Sequence, residues 1–157
     1  MIIIVELDQN EMAICRLLGN LRSLVARGNK INDVQVGKDD GREIDELGVI
    51  AEYAFCKHFN IFFDPTAYPR SGSADCVLKG KRFDVKATKY TNGKLVKTLK
   101  DNSDVDCYAL AIVEENKVTF PGWALKEKLQ DPDNKTNLGH GWGYAMPQSE
   151  LTQWKDK

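Results

Sequence analysis

The chain has 157 residues, 42% of them apolar and 29% charged, with a formal net charge of −1. That length suits one domain with its own core, and that balance excludes a disordered tail or a membrane span. The near-neutral total excludes a uniformly basic nucleic-acid binder, but the charge is uneven: between Lys79 and Lys100 eight basic residues accompany the single acid Asp84, a local +7 that leaves −8 elsewhere. One segment can therefore face phosphates while the rest does not.

In chain order, the apolar run Met1 to Val5 stops at Glu6 and Asp8, far short of a secretion signal or a spanning helix, so a cytoplasmic setting is expected. Asp8 and Glu11 have capping-box spacing, and Ile14, Leu17, Leu18, Leu21, Leu24 and Val25 recur at helical steps, which predicts a helix over 8–28 packed as scaffold. Residues 28–43 carry Gly28, Gly37 and Gly41 beside Asp39 and Asp40 and read as a long connection. A second helix is expected from Glu43 to Phe59 on the stripe Leu47, Ile50, Ala51, Ala54, Phe55 and His58, the last read as a core histidine. Pro65, Pro69 and Gly72 then break the chain.

Strands follow. Asp75–Leu78 and Arg82–Thr88 flank Lys79-Gly80-Lys81 and read as a hairpin. Cys107–Val113 is apolar throughout, as a buried strand requires, and Lys117–Phe120 is expected to pair with it before Pro121-Gly122 ends the sheet. A short helix over Ala124–Leu129, a glycine-rich loop from Asn137 to Gly143 and a helical turn after Pro147 complete the reading. Cys15, Cys56, Cys76 and Cys107 lack C-x-x-C spacing and histidine partners, so buried free thiols are expected rather than zinc or disulfides. Trp123, Trp142 and Trp154 are assigned to packing rather than to base stacking.

The chemistry centres on the second hairpin strand. Alternation along Arg82-Phe83-Asp84-Val85-Lys86-Ala87-Thr88 puts Asp84, Lys86 and Thr88 on one face and Phe83, Val85 and Ala87 on the other. A turn at Gly80 brings Asp75 beside Asp84, so two carboxylates and an amine converge. Hydrolysis of a phosphodiester needs charge neutralised on the phosphoryl oxygens and a water activated in line. One or two carboxylates with a substrate phosphate suffice to hold Mg²⁺ or Mn²⁺, and Lys86 stands where it can orient or help deprotonate the water. The acid-x-Lys triplets Glu115-Asn-Lys117 and Asp133-Asn-Lys135 lack such a setting. Glu52, within Gly48-Val-Ile-Ala-Glu52, flanks the apolar stripe of the second helix and can emerge at the helix–sheet seam. An acid there needs a partner or a metal.

A helix bearing G-x-x-A-E, an isolated Asp opening a strand and Asp-x-Lys in the next strand together resemble the PD-(D/E)XK nuclease superfamily, in particular its small phage and prokaryotic members. The resemblance spans residues 43–123, with Ala74 where many members have proline. It implies an α/β, three-layer, restriction-endonuclease-like core with a mixed central sheet flanked by helices, to which 8–28 and 123–157 are additions within one domain. It further implies acidic positions at Glu52, Asp75 and Asp84, the catalytic lysine at Lys86, the Val85 carbonyl as a metal ligand and Mg²⁺ or Mn²⁺ as cofactor. DNA is the expected substrate, with RNA an alternative and cutting as an endonuclease or an exonuclease left open; many members work as homodimers, and no membrane partner is expected. Arg70, Lys79, Lys81, Arg82, Thr88 and Lys89 are the candidate contacts to the nucleic acid. The competing reading is a catalytically inert nuclease-fold module that binds nucleic acid or protein.

Overall fold

A computed structural model describes residues 1–28, 41–67, 74–100 and 104–155. The strand β1 (Ile3–Glu6) leads into α1 (Gln9–Gly28) and, after the undescribed connection, α2 (Gly41–Phe59). The expected capping box starts α1: the Asp8 N–H donates to Glu11 Oε1 at 2.9 Å and the Glu11 N–H donates to Asp8 Oδ1 at 2.8 Å, satisfying two backbone donors that a helix start leaves open. The expected connection over 28–43 lies mostly outside the described residues, and α2 begins two residues earlier than its apolar stripe indicates.

The remaining elements are β2 (Cys76–Leu78), β3 (Lys81–Thr88), β4 (Leu95–Thr98), β5 (Cys107–Glu114), β6 (Lys117–Leu125), α3 (Lys126–Leu129), β7 (Lys135–Asn137) and β8 (Trp142–Met146). They build a mixed α/β structure. A five-stranded sheet has the order β1-β6-β5-β3-β2, parallel only between β3 and β5, and a three-stranded antiparallel sheet has the order β4-β8-β7. Because β3 and β5 are parallel, the chain must cross from the end of one to the start of the other, and β4 lies in that crossover.

The buried core explains why β5 is apolar throughout. Its Cys107, Ala109, Ala111 and Val113 join Phe83, Val85, Val118 and Phe120 against α2, while Tyr108 and Leu110 join Leu95, Ala124, Leu129, Met146 and Leu151 on the opposite side. Alternate residues of one strand thus serve two cores, and neither face is left for solvent. At the centre of the first, Phe55 is fully buried, with ring centroids 4.8 Å from Phe59, 5.5 Å from Phe83, 5.7 Å from Phe120 and 5.9 Å from Trp154. Trp123 and Trp154 belong to this aromatic packing, whereas Trp142 is exposed. All four cysteines are free and buried, as expected.

Four expectations are corrected. Pro121-Gly122 does not end the sheet: β6 continues to Leu125, with a register shift that sets Phe120 and Pro121 against Ala111. A bulge tolerates a residue without an N–H donor. Gly122 is also needed there, since a Cβ would lie 2.7 Å from the Thr152 carbonyl oxygen, where the C-terminal segment bridges to Trp123. The glycine-rich stretch is the tip of the β7–β8 hairpin, with Gly139 and Gly141 at positive φ, a conformation glycine adopts without strain. His58 is exposed, edge-on to Phe59 at 4.8 Å, rather than in the core. The fourth concerns α1: its buried apolar residues are Met12, Cys15 and Leu18, while Ile14, Leu17, Leu21 and Leu24 face outward.

Candidate active site

The hairpin forms as the sequence predicts. Leu78 pairs with Lys81, and the two residues between them, Lys79 and Gly80, have φ of 51° and 78°, the left-handed pair whose twist matches that of the strands it joins. That register sets Cys76 against Phe83 and so carries Asp75 opposite Asp84, with the Asp75 N–H donating to the Phe83 carbonyl at 2.9 Å. Edge strand β2 starts at Cys76, so at Val85 the neighbouring strand offers no carbonyl. The Asp75 side chain takes that role, its Oδ2 accepting the Val85 N–H at 2.8 Å.

Asp75, Asp84 and Lys86 are brought together. Lys86 Nζ lies 2.7 Å from Asp84 Oδ2, and Asp84 is buried. The carboxyls of Asp75 and Asp84 lie close enough that the charge of Asp84 disfavours ionisation of Asp75, as like charges in one site do. Burial, reinforced by the negative charges of Asp84 and Glu52, raises the Asp75 carboxyl well above the usual carboxylate range. Around Lys86, burial disfavours the charge, yet Asp84, and more weakly Asp75, raise its pKa above that of a free lysine. Lys86 Nζ also stands 5.8 Å from the ring centroid of buried Tyr108, and the buried Lys97 Nζ 6.0 Å from that ring.

Glu52 is near enough to act on Asp75 but is itself engaged. Arg22 on α1 donates from Nη1 to Glu52 Oε2 at 3.1 Å, from Nη2 to the Asp64 carbonyl at 3.1 Å and from Nε to the Thr66 carbonyl at 2.9 Å. One guanidinium thus ties α1, α2 and the segment after α2 together. Next to it a cleft of about 300 Å³ is lined by Phe62, Asp64, Ala74, Asp75, Cys76 and Val77. The thiols of Cys76 and Cys56, the latter one helical turn beyond Glu52, act on each other, the pKa of Cys56 being lowered and that of Cys76 raised.

Arg22, Asp64, Lys97 and Tyr108 were not singled out by the sequence. Arg22 and Lys97 look like two among 22 basic residues. Asp64-Pro-Thr reads as a turn, and it forms one, Asp64 Oδ1 accepting the Thr66 N–H at 3.0 Å.

The candidate nucleic-acid contacts divide. Lys79 and Lys81 are exposed at the hairpin tip, along the strands from Asp84. Arg82 is committed to Asp106, donating from Nη2 at 3.0 Å and from Nε at 3.1 Å, with Asp104 at 3.7 Å. Lys89 lies 3.4 Å from Glu43, and Thr88 Oγ1 accepts the Tyr90 N–H. Arg70 lies outside the described residues.

Among the described residues no three acids, histidines or cysteines form a ready-made metal cage. Asp75 and Asp84 still fit a hard divalent cation: they are crowded oxygen donors, each charge disfavouring the other, and a dication in that place would relieve their repulsion. No helix among the described residues is long and apolar enough to cross a membrane. No family model, no curated protein and no solved structure matches this chain.

Proposed function

We propose that this chain is a metal-dependent nuclease of the PD-(D/E)XK type, built on a three-layer restriction-endonuclease-like core, that hydrolyses phosphodiester bonds of DNA. The observation that carries the reading is the cluster at the open end of the β2–β3 hairpin: Asp75 opposite Asp84, its carboxyl raised by burial and by the Asp84 charge, and Lys86 at 2.7 Å from Asp84. Like charges driven together in a partly enclosed site, with a cation fixed beside them, are a functional arrangement more often than a structural one.

In this proposal Asp75 and Asp84, with the Val85 carbonyl, hold Mg²⁺ or Mn²⁺, and Glu52 is a further ligand or water-holder once it leaves Arg22. The bound cation would supply Lewis-acid neutralisation of charge on the phosphoryl oxygens and lower the pKa of a coordinated water. Lys86, kept charged by Asp84, donates a hydrogen bond to the attacking water or to the phosphoryl oxygen, fixing its line of approach. Lys79 and Lys81, exposed at the hairpin tip, contribute charge along the backbone.

The test is cleavage of labelled linear, circular, single-stranded and branched DNA with Mg²⁺, Mn²⁺ or EDTA. Asp84→Ala and Lys86→Ala should abolish metal-dependent cutting while far-UV circular dichroism is retained. Undiminished cutting by either variant rules out this site. Salt-sensitive binding without cutting by the wild type identifies an inert module instead.

A further inference from the structure

The helix α1 carries two apolar faces. Met12, Cys15 and Leu18 are buried against the rest of the protein, while Ile14, Leu17, Leu21 and Leu24 keep 53%, 72%, 47% and 64% of their surface exposed. At 100° per residue these four fall within one narrow stripe, bounded on one side by Arg16 and Asn20. Their spacing of three, four and three residues is that of a coiled-coil seam, whereas a helix lying on one core needs a single broad stripe.

We infer that α1 is a homodimer interface, in which the seam of one copy packs antiparallel against the same seam of a second copy. The spacing reads the same in both directions. A two-fold axis midway between Leu17 and Leu21 sets Leu17 against Leu21 of the second copy and Ile14 against its Leu24, so all four layers are aliphatic on both sides. Such a patch is self-complementary, as an isologous interface requires. The four side chains expose roughly 450 Å² per copy, or about 900 Å² across a pair, most of the ~1,200 Å² at which small specific interfaces begin. Ala13, Asn20 and Val25 border the stripe and extend it. The only ionic side chain flanking it among the described positions 13–25 is Arg16, since Arg22 is turned inward to Glu52, so the seam has no charge opposite it to exclude a second copy.

Sedimentation velocity of the full chain over about 1–200 µM decides this, a range bracketing micromolar dimers. The expected mass is about twice the 17.7 kDa of one chain. The double variant Leu17→Glu/Leu21→Glu places Glu against Glu in the antiparallel layers and should weaken the dimer about 100-fold or more. Leu17→Lys/Leu21→Glu places Lys against Glu and should restore it in a salt-sensitive manner. Hydrogen exchange of the wild type at the two ends of the range reads the interface without any substitution: only peptides of α1 should slow as the dimer fills. A wild type monomeric at 200 µM, a dimer untouched by Leu17→Glu/Leu21→Glu, or slowed exchange confined to another element overturns the inference. None of these outcomes depends on nuclease activity.

Discussion

Replacing Arg22 by Ala removes the donor that joins α1 to Glu52 and to the carbonyls of Asp64 and Thr66. The two carbonyls lie where water can replace a lost donor, so their share is small, about 1 kcal/mol together. Glu52 dominates. Its side chain is only 12% exposed and that of Arg22 15%, and taking the guanidinium away from a largely buried carboxylate costs more than the pair contributes, on the order of 2 kcal/mol here. Arg22→Ala should therefore destabilise the fold by about 3 kcal/mol, or lower Tm by roughly 6–12 °C for a chain of this size. Glu52→Gln removes the charge and leaves Arg22 its two carbonyl partners, so it should cost about 1 kcal/mol. Arg22→Ala/Glu52→Gln removes both charges of the pair and should be more stable than the sum of the single changes by about 1–2 kcal/mol. Urea unfolding of the four proteins closes the cycle. A loss below about 1 kcal/mol in Arg22→Ala, or single changes that simply add, would refute the claim that Arg22 compensates a buried Glu52.

Two further predictions address the acidic pair and the core. The raised pKa of Asp75 means that the folded state holds this proton more tightly than the unfolded state does; stability should fall as pH rises above about 4, through the interval up to the folded pKa. Asp75→Asn keeps an acceptor for the Val85 N–H and a donor to Asp84 but cannot titrate, so the fall should be reduced in this variant when urea midpoints are compared at pH 4.5 and 7.5 in EDTA; equal slopes would contradict the assignment. Phe55→Ala empties the centre of the aromatic cluster, where Phe55 is fully buried, and should cost about 3–5 kcal/mol in the same assay; a loss below about 1 kcal/mol would mean that the cluster collapses to fill the space.

Sequence by itself determined the features that obey local rules. The capping box at Asp8 and Glu11, the helix leading to Phe59, the turn at Lys79-Gly80 and the juxtaposition of Asp75 with Asp84 and Lys86 all follow from side-chain chemistry within a few residues or from the two-residue period of a strand. Tertiary structure decided the rest, because each remaining feature depends on a neighbour far along the chain. The stripe on α1 was legible, but periodicity reports that a face is apolar, not which face the protein covers, and the buried side turned out to be that of Met12, Cys15 and Leu18. Pro121 should have ended a strand by its own chemistry, and it is the bulge opposite Ala111 that lets β6 run through it. Strand β4 carries Lys97, buried beside Tyr108, a placement that only the β4–β8 pairing creates. Arg22 reaches Glu52 across 30 positions, since α1 packs on α2, and no spacing rule within either helix couples them. A buried charge is satisfied by whatever the fold brings to it, and that choice becomes visible only once the helices are packed.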